Sequence, residues 1–256
     1  MFNPTRRNRN IGTAKQGYGQ ENKMVIPWPA IAMKSFYERL TEYRVEYRTI
    51  NGNRFEFIIE KTRKNSEHAC TVEDLSELIR HIRPEDYGRL NLIILRQPKR
   101  KEEILSSVWG RLIYSYQYKN DFRPAIILEA IDYSNKLKWP KNLSPEGQKE
   151  LNRLKNDGHN LKEEKRFHVA EYKLDNVRNT QLYRTLPHEF GHYRHYLEIV
   201  GEIEDNEDEE YEEFEKRENL YFKIPTADKE RYAHRFADNL ELMLRKCGAI
   251  PFERIE

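Results

Sequence analysis

His188, Glu189 and His192 stand in the order His-Glu-x-x-His, within Thr185-Leu186-Pro187-His188-Glu189-Phe190-Gly191-His192-Tyr193. Residues i and i+4 of an α-helix share a face one turn apart, so both imidazoles can close on one metal ion. Glu189, at the edge of that face, can reach a water on the metal. Two imidazole ligands and a carboxylate base are the parts of a zinc hydrolase. The surroundings read as a helix. Thr185 is the expected N-cap and Pro187 suits a first turn. Glu189, His192, Tyr193, Tyr196, Leu197 and Val200 then form an inward stripe, and Gly201 is the expected stop. A carboxylate on an inward stripe is costly unless it is paired or faces a metal.

Such a site needs a third protein ligand and leaves a fourth position to water. Glu198, six residues past His192, lies roughly 120° around the helix from it and is ruled out. His195 lies about 60° from His192 but two turns from His188, too far along the axis to share one ion. It is expected beside the site or in solvent.

The next helix is the better source. Pro225-Thr226-Ala227-Asp228 is a start signal with Thr226 as the expected cap. Ala233, Phe236, Ala237, Leu240 and Leu244 make its buried stripe. Arg245, Lys246, Gly248 and Pro251 mark its end. Running the stripe backwards reaches Glu230. A carboxylate on a core-facing line is explained by a metal; complementing the helix dipole is the ordinary alternative. Glu230 is the expected third ligand, weighed against Asp228 and His234.

His188-Glu189-x-x-His192 followed by Glu230-x-x-Ala233-x-x-Phe236-Ala237 resembles the pattern of the ImmA/IrrE-type metallopeptidases, over Thr185 to about Leu244. The resemblance implies a zincin core with one Zn2+ held by His188, His192 and Glu230. His234 stands where related enzymes carry Asn or Asp in a supporting role. The resemblance does not extend to that family's DNA-binding repressor targets. The expected reaction is peptide hydrolysis with Glu189 as general base. The oxyanion donor is expected among His234, Tyr193 and Tyr232, with His234 carried forward as the second catalytic residue. The rival reading is a non-catalytic zinc-binding, zincin-like regulatory or interaction module.

The whole chain sets the context. Its 256 residues supply ample core material, and 12% aromatic content against 34% charged favours a folded protein over disorder. Cys70 and Cys247 alone make no disulfide framework, so a reducing, cytoplasmic location is expected. No apolar run approaches a membrane span and no signal peptide is read. Polypeptide is the expected partner; membrane is not expected, and nucleic acid is disfavoured because no phosphate loop or Cys-based zinc finger is present.

Residues 1–24 read as a disordered basic arm. Glu202 to Glu215 hold ten acidic residues and no basic one, a solvated connector between the two ligand-bearing helices. Glu218-Asn219-Leu220-Tyr221-Phe222 looks like a tag-protease site, but Lys223 replaces the required Gln, so it reads as native. Residues 25–100 form an N-terminal α+β region and 101–256 the peptidase core. Within them a helix is expected over 29–42, a hairpin of Val45, Tyr47 and Thr49 with Phe55, Phe57 and Ile59 around Asn51-Gly52-Asn53, and a Thr71-capped helix through Ile82. Strands follow at Leu90–Leu95, Val108–Tyr118 and Ala125–Ile131. A Ser144-capped helix runs to about Lys155, then a strand at Phe167–Tyr172, then a helical run from Asp175 into the motif helix. The element pattern is α+β; the resemblance implies a zincin-like arrangement, a twisted mixed sheet packed on the active-site helix with a C-terminal helix bringing the third ligand. The resemblance implies that an edge strand binds substrate, and Ala125–Ile131 or Phe167–Tyr172 is the expected edge.

Overall fold

Period-two alternation around Asn51-Gly52 folds as a hairpin. β1 (Tyr43–Ile50) and β2 (Asn53–Glu60) pair antiparallel, with Ile50 opposite Asn53. Asn51 and Gly52 sit at φ 50° and 81°, the left-handed pair that a two-residue hairpin turn needs. The computed structural model describes residues 38–105, 108–201 and 211–256. The chain divides into residues 1–39 and 40–256, and every element below belongs to the second unit. The basic arm of residues 1–24, residues 29–37 of the helix expected over 29–42, and residues 202–210 of the acidic connector lie outside the described residues; residues 39–42, where that helix would continue, are not helical.

After the short β3 (Ser66–Glu67), the helix Val72–Ile79 starts on the expected capping box. Thr71 Oγ1 accepts from the Asp74 N–H at 3.0 Å, and Asp74 Oδ2 accepts from the Thr71 N–H at 3.2 Å. The helix stops at Ile79 rather than Ile82, because Pro84 opens a separate short helix, Pro84–Tyr87. β4 (Leu92–Arg96) lies parallel to β2, and a helix Arg100–Leu105 follows. β5 (Gly110–Tyr118) and β6 (Asp121–Glu129) are antiparallel, with a register shift between Ile113 and Tyr116. β6 is also parallel to β4, giving one mixed sheet in the order β1-β2-β4-β6-β5. Strands from both sides of residue 100 therefore share this sheet.

The strand order corrects one expectation. Ala125–Ile131 is not an edge: β6 lies between β4 and β5. Its unbroken apolar run reports cover on both faces, which does not by itself say which strands lie beside it. Phe167–Tyr172 is not an edge either. β7 (Ile131–Asp132) pairs with β3, while β10 (Phe167–Glu171) is the middle of a small sheet between β8 (Lys136–Pro140) and β9 (Lys162–Glu163). The main sheet ends at β1 and at β5.

Phe55, Phe57, Ile59, Ile93, Leu95, Ile126 and Leu128 put alternate side chains on one face of the main sheet. Leu75, Leu78 and Ile79 pack there, as do Leu186, Phe190, Tyr193, Tyr196 and Val200. The motif-bearing helix is thus laid on the sheet by its own apolar stripe. The helix Pro145–Asn156, with Ser144 Oγ accepting from the Gly147 N–H at 3.1 Å, buries Leu154 against Leu137 and Ala170 of the small sheet. The architecture is α+β with a mixed sheet. No helix among the described residues is long and apolar enough to cross a membrane.

Candidate metal centre

A helical run leads into the motif helix from near Asp175, as expected, so Thr185 is not its N-cap. The chain is already helical over Leu174–Asn179, widens into a π-helical turn over Thr180–Thr185, and continues as Leu186–Val200. Thr185 has helical dihedrals and caps nothing; its hydroxyl donates to the Thr180 carbonyl at 3.0 Å. Pro187 supplies the physical reason. It has no N–H for the carbonyl four residues back, and its ring needs clearance from that carbonyl. A widened turn just upstream meets both needs without ending the helix. Gly201, at φ 79°, stops the helix as expected, its N–H donating to Leu197 at 2.9 Å.

The C-terminal helix Thr226–Lys246 packs across this one. Pro225, not Thr226, occupies the cap position, and no side chain caps the helix. Residues 211–215 of the acidic connector belong to a third helix, Tyr211–Lys223, whose Tyr221 is fully buried.

This packing brings three ligand atoms together. His188 Nε2 lies 3.1 Å from His192 Nε2 and 3.2 Å from Glu230 Oε2; His192 Nε2 lies 3.4 Å from Glu230 Oε1. Two Nε2–H groups donating to Glu230 would give each nitrogen a partner, but they set two N–H groups 3.1 Å apart with no acceptor between them. Two donors each about 2.0–2.1 Å from a tetrahedral ion stand roughly 3.3 Å apart, so a cation at the centre fits all three separations. His188 Nδ1 is buried, and no hydrogen bond from the described residues sets its tautomer. These three residues can hold a metal ion. The Glu230 side chain is 45% exposed, which leaves one flank open to solvent. The two facing imidazoles hold its carboxyl well below the usual carboxylate range.

Glu189 lies on the sheet side of the triangle and is buried. Burial pushes its pKa up; His188, His192 and the Leu112 backbone N–H, which donates to it, pull the other way. Leu112 belongs to β5, so the carboxylate sits against the edge strand of the main sheet. A chain of hydroxyls runs from the same strand. Tyr114 and Tyr221 share a hydrogen bond at 2.6 Å, and the Tyr221 hydroxyl donates to the His192 carbonyl at 3.2 Å.

His234 lies beside the triangle, its ring tilted 41° to that of His188 with centroids 4.3 Å apart. Arg153 reaches it from the helix Pro145–Asn156, with Nη1 3.1 Å from His234 Nε2. Burial, His188 and Arg153 together push the His234 pKa down to about 4. The other oxyanion candidates point elsewhere. Tyr193 is buried in the core against Tyr196, and the Tyr232 hydroxyl donates to Glu198 at 2.6 Å. His195 stacks on Tyr232 at 4.3 Å, and Asp228 pairs with Arg231. None of the four joins the ligand group. Arg153 carries no local signal in the sequence; its reach across to His234 is set by tertiary packing.

No family model, curated protein or solved structure matches the chain.

Proposed function

We propose that the protein is a zinc-dependent metallopeptidase with a zincin-like site, acting on polypeptide. The observation that carries this reading is the triangle of His188, His192 and Glu230 with a buried Glu189 beside it. Structural zinc sites close with four protein ligands, whereas catalytic ones keep a position open. Three ligand atoms among the described residues and a half-exposed Glu230 support the catalytic form over a purely structural metal. Zinc, when bound, supplies a Lewis acid that polarises a carbonyl and lowers the pKa of water toward neutrality.

The remaining chemistry falls to the chain itself. Glu189 takes the proton of the attacking water and passes it to the leaving amine. His234 donates a hydrogen bond to the oxyanion. The substrate adds a strand along β5, an edge strand of the main sheet among the described residues and the one whose Leu112 N–H reaches Glu189. Two free thiols, Cys70 and Cys247, suit a cytoplasmic enzyme.

A peptide library incubated with zinc-loaded and zinc-stripped protein, and analysed by mass spectrometry, tests the proposal. Internal cleavages that appear only with the loaded protein are expected. An intact library under both conditions contradicts peptidase activity.

A further inference from the structure

Arg153 is the residue whose placement the reading above leaves unexplained. It lies on a helix held to the π-helical run by several bonds. Arg184, inside that run, donates to Glu150 at 2.6 Å and to Asp157 at 2.9 Å. Asp157 also accepts from the Thr180 hydroxyl at 2.8 Å, and its carbonyl accepts from Asn179 at 3.2 Å. Leu151 and Leu154 are buried beneath the same helix. The segment leading into the motif helix therefore holds the helix that carries Arg153, and Glu150, bonded to Arg184, also lies 3.7 Å from Arg153 Nη1.

Arg153 points its guanidinium at Nε2 of an imidazole. A guanidinium only donates, so Nε2 must present its lone pair. The proton of a neutral His234 then sits on Nδ1, and no described residue makes another hydrogen bond to this ring. In water, neutral imidazole side chains favour the opposite tautomer, with the proton on Nε2.

We propose that Arg153 is a positioning residue: it holds His234 as the Nδ1–H tautomer, with a fixed ring orientation beside the metal triangle. The consequence deepens the function proposed above and rests on it. The ring offers one N–H donor, at Nδ1, for the oxygen of a substrate carbonyl as it gains charge. Its other nitrogen is already occupied and cannot ligate the ion in place of the open position. Preorganising a donor in this way favours the transition state over the bound substrate.

Long-range proton–nitrogen NMR on the full-length, zinc-loaded, nitrogen-labelled protein tests this, with the His234 signals assigned through His234→Gln. The wild type should show Nδ1 protonated and Nε2 as an acceptor. Arg153→Met should move the proton to Nε2, and Arg153→Lys, which keeps a donor, should return it to Nδ1. Zinc content should be equal in all three. On any peptide cleaved by the wild type, Arg153→Met should lower kcat by about tenfold or more with KM changed less than twofold, as loss of a supporting partner does. A wild-type His234 protonated on Nε2, or a tautomer unmoved by Arg153→Met, overturns the proposal, and the wild-type spectrum alone can do so if that variant fails to fold. Absence of any cleavage by the wild type counts against the peptidase reading, while the tautomer measurement still judges Arg153.

Discussion

The backbone of Gly191 lies directly against that of Ala233: a Cβ placed on Gly191 would stand 2.9 Å from the Ala233 carbonyl oxygen and 3.0 Å from its Cα. Gly191 is one of the two unspecified residues of the His-Glu-x-x-His motif, and Ala233 is one turn beyond Glu230. The contact sets how near the C-terminal helix comes to the motif helix. It therefore sets whether Glu230 reaches both imidazoles.

Gly191→Ala should accordingly weaken zinc binding. Alanine gains roughly 1 kcal/mol of helix propensity over glycine. Overpacking typically costs about 1–3 kcal/mol, and here the obstacle is backbone, which cannot rotate aside. The helices must separate. Competition with a zinc-binding dye should show affinity lower on the order of tenfold. Wild-type affinity in the variant would show that this contact does not place Glu230.

Glu189→Gln should keep the metal and lose turnover. The amide matches the carboxylate in shape but cannot accept the water's proton. A loss of about 10²–10⁴-fold in kcat is the range for a general base. Equal zinc content with nearly full activity would remove Glu189 from the reaction.

The Tyr114–Tyr221 pair should behave as a coupled unit. Removing the Tyr221 hydroxyl strands that of Tyr114, which sits in a largely aromatic setting of Tyr196, Tyr221 and Phe222. Tyr221→Phe should cost about 1–3 kcal/mol in urea unfolding, the range for stranding a buried polar partner. Adding Tyr114→Phe should cost little more, because the stranded group is gone. Strictly additive losses would mean the two hydroxyls are independent.

Asp74 ties the sheet-side helix to the run that leads into the motif helix. Arg178 donates to both its oxygens, at 2.8 and 2.9 Å, and the Ile255 N–H donates at 3.1 Å. Burial alone would raise the Asp74 pKa, but Arg178 and the backbone N–H groups of Ile255 and Thr71 outweigh it and lower it. A lowered folded pKa means stability that is full above the unfolded value and lost as pH falls through the folded one. Asp74→Asn should thus be less stable near neutral pH by about 3–5 kcal/mol, the cost of leaving Arg178 without its buried partner. Urea unfolding of both proteins at a series of pH values should show the gap closing in acid. A gap independent of pH would contradict the ion-pair account.

What could be read in the chain follows a physical divide. The hairpin turn, the Thr71 and Ser144 caps and the Gly201 stop are set by neighbours in sequence, and they form as their residues dictate. The ligand triangle could be anticipated because helical periodicity puts Glu230 on the same line as Ala233 and Ala237. The same arithmetic excludes Tyr232: two residues past Glu230 is about 200° around the helix, the far side. Thr185 misled because a hydroxyl residue before Leu-Pro is the local pattern of a cap. Only the π-helical run upstream, with its bond back to Thr180, shows otherwise. The edge strand was out of reach because strand order is a property of the folded sheet. A fully apolar run such as Ala125–Leu128 reads alike wherever it lies. Arg153 was missed for a related reason: its partner is 81 positions away.

The central claim is that His188, His192 and Glu230 bind one catalytic metal ion. Elemental analysis of the purified protein beside His192→Ala and Glu230→Ala, after dialysis against limiting zinc, tests it most directly. The account predicts one zinc per wild-type chain and little in either variant, with folding preserved by circular dichroism. A metal-free wild type, or a Glu230→Ala variant that still carries a full equivalent of zinc, would contradict it.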